Sequence, residues 1–130
     1  MVSDRVGDFI IRLKNAGAIA NTHVSAPHSN HVLDIANKLK TLGYVERVEV
    51  SKDLPKVINV TLSYNEEGKH KINGVKRISK PGRRLYVGAH EAHSVKNGHG
   101  ARIISTPKGI LTDAEARKNR SGGETLFEIW

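Results

Sequence analysis

The sequence predicts an α+β protein of two small domains, residues 1–64 and 65–130, and three observations carry that expectation. Apolar residues recur at helical spacing twice before Gly43, each time behind a residue able to cap a helix. Apolar and polar residues then alternate over 44–50 and 57–64, the period of strands with one buried face. Beyond the turn-forming run Asn65-Glu66-Glu67-Gly68 the chain breaks into short strand-like stretches punctuated by Gly and Pro. A chain of 130 residues holds one domain or two small ones, and nothing larger.

Residues 4–16 form the first expected helix, with Val6, Phe9, Ile10 and Leu13 at i, i+3, i+4 and i+7. Ser3 or Asp4 caps its start, Gly17 is expected to end it, and Arg5, Arg12, Lys14 and Asn15 line the opposite face. An extended segment near 23–27 leads to Ser29, the cap of a second helix with the stripe Val32, Ile35, Ala36, Leu39 and Leu42. Gly43 suits the left-handed residue past its end. Lys52-Asp53-Leu54-Pro55 turns between the two strands that complete the first domain. In the second domain, strands are expected at 70–72, 75–79 and 84–87, with a turn at Pro81-Gly82. One or two helical turns over 91–96 stop at Asn97-Gly98, and a strand at 101–106 ends in the tight turn Pro107-Lys108-Gly109. Thr112-Asp113-Ala114-Glu115 is a capping-box pattern opening a helix through Asn119. Gly122-Gly123 leads into a last strand over 124–130, with Leu126 and Phe127 inward.

The chain holds 21 Lys and Arg against 13 Asp and Glu, a net charge of +8. Residues 1–63 carry 8 basic and 6 acidic side chains, and residues 64–130 carry 13 and 7. Five cations occupy the nine positions from Lys76 to Arg84. Such a balance favours a polyanionic partner, because each neutralised phosphate releases condensed counterions. A hydrophobic share of 38% supports a packed core. No run of 18 apolar residues exists, so no membrane partner is expected, and the Met1–Arg5 stretch lacks a signal-peptide core, so a cytoplasmic location is. With no cysteine, disulfides, thiolate metal sites and a cysteine nucleophile are excluded.

Enzymatic patterns are missing: there is no Walker motif, no HExxH helix and no GxSxG elbow, and Gly98-His99-Gly100 reads as a flexible turn. His90, His93 and His99 leave open a histidine-based metal-binding enzyme, and the basic surface leaves open a protein–protein adaptor. Helix capping accounts for Asp113 and Glu115. No catalytic residue, cofactor, metal or small-molecule substrate is expected.

The segment Ser105-Thr106-Pro107-Lys108-Gly109 places two hydroxyls at a strand end, followed by a rigid turn, a cation and a glycine free to take positive φ. Hydroxyls and backbone groups there suit 2′-OH groups and base edges, and Lys108 suits phosphate. Glu124, an acid in the basic half, suits a hydrogen bond from a base amine or a 2′-OH. Six aromatic residues without an aromatic-rich strand argue against a single-strand stacking platform and for structured RNA, with Tyr86 the one stacking candidate.

The run from Ser105 to Asp113, with Ala116-Arg117 and Gly122-Gly123-Glu124 downstream, resembles the family of ribosomal protein S-eight of the small subunit. The likeness extends to Asp8-Phe9-Ile10-Ile11-Arg12-Leu13-Lys14-Asn15, Pro27 with Ser29, Ile35-Ala36-Asn37, Gly43-Tyr44, and Ser79-Lys80-Pro81-Gly82 leading to Tyr86. Pro107 stands where relatives carry a hydroxyl residue, and Val87-Gly88 where they often carry cations. The resemblance implies a two-domain protein, bacterial or organellar in type, that binds the central domain of small-subunit rRNA early in subunit assembly. On that likeness Ser105, Thr106, Lys108 and Gly109 meet RNA, Glu124 accepts from the same region, and Tyr86 packs on the backbone nearby. Lys80, Arg83 and Arg84 add cations to that contact, while Arg12, Lys14 and Asn15 reach a neighbouring rRNA segment. It also implies protein neighbours S-five, S-two and S-seventeen and, in a bacterium, repression of translation from its own operon mRNA.

Overall fold

The computed structural model describes residues 4–53, 56–64, 66, 68–80, 82–88 and 100–130. The expected turns over 91–96, the histidines His90, His93 and His99, and Ser3, Leu54, Pro55, Asn65, Glu67 and Pro81 lie outside the described residues. The fold is α+β, as the sequence predicts, and the chain divides into two compact units, Met1–Asn73 and Gly74–Trp130.

The first unit runs α1 (Arg5–Ala18), β1 (His23–Pro27), α2 (Asn30–Leu42), β2 (Val45–Val50) and β3 (Val57–Leu62). Its antiparallel sheet has the order β1-β3-β2. Ile58, Val60 and Leu62 alternate inward along β3, and Phe9, Ile10 and Leu13 of α1 and Ile35 and Leu39 of α2 are buried in the same unit. Asp4 caps α1 by accepting from Gly7 N at 3.0 Å, and Ser29 caps α2 by accepting from Val32 N at 3.1 Å. Gly43, at φ 90°, takes the left-handed position that closes α2.

Three details correct the expectations. Gly17 does not end α1, which runs on to Ala18; the residue with positive φ is Ala20, at 58°. Gly17 is buried instead beside the His70 ring, which a Cβ there would approach to 2.5 Å, so close packing explains the glycine. Leu42, the last residue of α2, is 38% exposed, so the buried stripe of this helix ends at Leu39. No strand forms over 70–72: His70 makes one isolated bridge to Tyr64, and Ile72 is buried singly.

The second unit comprises β4 (Val75–Arg77), β5 (Tyr86–Val87), β6 (Ala101–Thr106), β7 (Gly109–Thr112), α3 (Asp113–Asn119) and β8 (Gly123–Ile129). Its sheet has the order β4-β8-β6-β7, and β5 also pairs with β8. Strands β4 and β5 thus lie along the same edge of β8, one opposite Phe127–Ile129 and the other opposite Gly123 and Glu124. Only the last two residues of the strand expected over 84–87 form it. A register shift between Ile103 and Ile104 locally breaks the alternation of the β6–β8 pair, and both Leu126 and Phe127 are buried. The Thr112 capping box is complete: its hydroxyl accepts from Glu115 N at 3.2 Å, and the Glu115 carboxylate accepts from Thr112 N at 3.1 Å. Ile104 and Ala116 form a buried cluster with Val87 against it, so α3 covers one face of this sheet.

Candidate nucleic-acid interface

Strand register assembles the outer face of the second unit. Tyr86 lies opposite Glu124 on β8, Glu124 opposite Ser105 on β6, and Ser105 opposite Ile110 on β7. These four form one row across four strands, and each is a chain neighbour of, or is paired beside, a residue of the opposite, α3-covered face. Tyr86 is 68% exposed, far beyond what packing alone leaves to an aromatic ring. Three residues singled out from distant sequence positions, Tyr86, Ser105 and Glu124, are therefore neighbours.

The row needs a close approach of two backbones. A Cβ on Gly123 would fall 2.0 Å from Ser105 O and 3.1 Å from the Thr106 Cα. Glycine at 123 lets β8 run tight beside the end of β6, a packing role that the sequence, in which Gly122-Gly123 reads as a lead-in to the strand and as part of a family motif, does not reveal.

At the far end of β6 the chain reverses through Pro107 and Lys108, with Thr106 opposite Gly109. Proline fixes its own φ near −65°, which excludes the two turn types that match strand twist unaided, and Gly109 supplies the compensating positive φ of 117°. The Thr106 hydroxyl staples this turn: it donates to Gly109 O at 2.8 Å and accepts from Lys108 N at 3.1 Å. A hydroxyl has one proton and two acceptor sites, so toward a ligand Thr106 retains an acceptor. Lys108 is exposed, and its ammonium donates to Asn119 O at 3.0 Å, at the C-terminal end of α3 where the helix dipole favours a cation.

Of the basic run, Lys76 and Arg77 lie in β4, and Lys80, Arg83 and Arg84 lie in the loop where the chain leaves and rejoins the edge of β8. Lys80 and Arg83 exchange backbone hydrogen bonds of 3.0 and 2.9 Å, and Lys80, Gly82, Arg83 and Arg84 are exposed. At its neck Ser79, 0% exposed, donates to the Glu124 carboxylate at 2.5 Å and accepts from Leu85 N at 3.2 Å. The same carboxylate oxygen accepts from Arg84 at 2.9 Å. Sequence reasoning did not single out Ser79 as a site residue. Its partner lies 45 positions away, beyond any local spacing rule.

In the first unit, Arg12, Lys14 and Asn15 are all exposed on α1, with Arg12 and Lys14 on opposite flanks of its buried stripe and Asn15 between them on the outer side. Arg12 donates to the Asp8 carboxylate at 2.9 Å and to Ser25 O at 2.9 Å, beside a shallow cleft lined by Ser25, Ala26, Pro27 and Val57. No group of three or more metal-ligating side chains occurs among the described residues. Nor is any helix there long and apolar enough to cross a membrane.

Comparison with known proteins adds an independent finding. The family model described as Ribosomal protein S8 matches residues 4–130. The chain is similar to the small ribosomal subunit protein uS8 of Persephonella marina, 43% identical over 136 aligned positions covering all of both chains. It is 42% identical to the protein of that name from Streptococcus mutans, covering 100% of this chain and 99% of the relative. The likeness to uS8 of Campylobacter jejuni subsp. doylei is also 42%, over the whole of both.

Proposed function

This chain belongs to the ribosomal protein S8 family, whose members are structural proteins of the small ribosomal subunit and not enzymes, and we propose that it binds the central domain of small-subunit rRNA directly. The observation that carries the reading is the outer row Tyr86–Glu124–Ser105, flanked by the Thr106–Gly109 turn with Lys108 and by the loop bearing Lys80, Arg83 and Arg84. An exposed ring, hydroxyls, an acceptor and cations on one face fit a folded RNA, whose backbone and 2′-OH groups offer phosphate and both halves of a hydrogen bond. Gly109 serves this contact through its backbone conformation. Lys14 and Asn15 reach a separate rRNA segment, to which Arg12, held by Asp8 and Ser25 O, adds little.

In the proposed role the protein fastens a central-domain helix early and supports subunit assembly in the cytoplasm or an organelle. S-five is the first neighbour to expect, with S-two and S-seventeen next. In a bacterial cell the same face would hold a matching fold in its own operon mRNA and repress translation.

The test is binding of the whole chain to a central-domain rRNA fragment, with a scrambled hairpin as control. Roughly four to seven phosphate contacts give a slope of log affinity on log salt of about −3 to −6. Equal affinity for the two RNAs would dismiss the reading.

A further inference from the structure

We propose that Glu124, clasped by the buried Ser79 at the neck of the basic loop, serves RNA binding as a positioning residue acting through Arg84. The inference rests on the reading that this face binds rRNA, and it changes what the acid does there.

Four observations support it. The loop leaves and rejoins β8 within a few residues: Ser79 N donates to Thr125 O at 3.1 Å, and Thr125 N donates to Leu85 O at 2.9 Å. Between these anchors the fully buried Ser79 hydroxyl links Leu85 N to the Glu124 carboxylate, so the acid is part of the closure. The Glu124 side chain is 17% exposed whereas Arg84 is 50% exposed, so the arginine presents the larger surface to a ligand. Finally, one carboxylate oxygen receives both the serine and the arginine, a shared charge-assisted acceptor that fixes the direction in which the guanidinium leaves the sheet.

The chemistry agrees. A carboxylate facing phosphate is repulsive, and its presence in the basic half needs a reason. Holding a long cationic side chain in place before binding supplies one, because an arginine already ordered loses less freedom on meeting phosphate. Arg84 precedes by two residues the strand residue Tyr86 that lies opposite Glu124, so the arginine and the exposed ring belong to the same short stretch of chain.

Net charge and positioning predict opposite signs for one substitution. Glu124→Gln removes a negative charge, so charge alone predicts tighter RNA binding and a steeper salt slope. Positioning predicts about tenfold weaker binding to the central-domain fragment and a slope flatter by about one, because one phosphate contact is lost. Arg84→Ala should show the same loss, and Glu124→Gln added to Arg84→Ala should then change affinity less than about twofold. Glu124→Asp keeps the charge but shortens the reach; it is the second variant should Glu124→Gln melt below the assay temperature. It too should weaken binding, and its effect should vanish without Arg84. Unchanged or tighter binding by Glu124→Gln overturns the proposal, as does a full loss that persists in the Arg84→Ala background. Failure of the wild-type chain to distinguish the fragment from the scrambled hairpin removes the rRNA reading and the clasp's role with it, and is read on the wild type alone.

Discussion

The two units hold nearly equal numbers of cations and use them differently. Residues 1–73 contain ten basic and eight acidic side chains; residues 74–130 contain eleven and five. In the first unit two of the three arginines are turned on their own backbone. Arg12 donates to Ser25 O, in the edge strand β1, and Arg5 donates to His28 O just beyond it at 3.2 Å. Side chains placed there blunt an edge that would otherwise offer its carbonyls to another strand. In the second unit Lys80, Arg83 and Lys108 stand exposed on a loop and a turn, Lys108 with one backbone partner in Asn119 O, and further fastening lies beneath them in Ser79, Glu124 and Thr106. Where a cation is tied, and how few acids accompany it, separates the units more than the number of cations does.

The most forceful way to break the second unit without touching a charge is Gly123→Ala. The added methyl meets backbone, Ser105 O at 2.0 Å, so two strands must part. The expected cost is about 3 kcal/mol or more, measured by chemical denaturation. Hydrogen exchange should show lost protection in β6 and β8, with α1 and α2 unchanged. The first unit's tight glycine contrasts with it. Gly17 is crowded by the His70 side chain, which can shift, and alanine in a helix regains about 0.5–1 kcal/mol. A Gly123→Ala protein as stable as wild type would contradict the close approach.

Two substitutions at the hairpin tip separate hydroxyl from charge. Thr106→Val keeps shape and branching but removes the staple, and should cost about 1 kcal/mol of stability and roughly 1–3 kcal/mol of RNA affinity with the salt slope unchanged. Thr106→Ser should restore both. Lys108→Ala should flatten the slope by about one and cost about 0.3–1 kcal/mol of stability, since its ammonium also caps α3. Equal slopes for Lys108→Ala and wild type would take phosphate contact away from this lysine.

Much of the fold is legible in the sequence because its signals are local. Asp4, Ser29 and the Thr112–Glu115 box mark helix starts within four residues of what they cap, and the alternation of Ile58, Val60 and Leu62 reads directly as a one-faced strand. Gly43 closes its helix as expected, yet Gly17 does not, because a glycine's tolerance for positive φ and its lack of bulk look identical in a sequence. The site divides in the same way. The turn Ser105–Gly109 is contiguous and could be read as a unit. The clasp could not: Ser79, Arg84 and Glu124 come together only through β8, across 40 and 45 positions. Glu124 was legible as an acceptor, but its donors within the protein were not.

The smallest expected effect probes the comparison from the other unit. Arg12 is 46% exposed and already engaged by Asp8 and by Ser25 O. Arg12→Ala should therefore cost the first unit about 1 kcal/mol, the sum of a weak i,i+4 ion pair and a charged hydrogen bond to a carbonyl. A guanidinium that must leave two partners to meet phosphate gains less than the Lys108 ammonium, which leaves one. On the central-domain fragment, Arg12→Ala should then move affinity less than about twofold and leave the salt slope in place, whereas Lys108→Ala flattens it. Lys14→Ala, exposed on the other flank of the same helix, serves as the companion measurement. If Arg12→Ala flattens the slope as much as Lys108→Ala, fastening an arginine to its own sheet edge does not withdraw it from RNA, and the contrast between the units reduces to their count of acids.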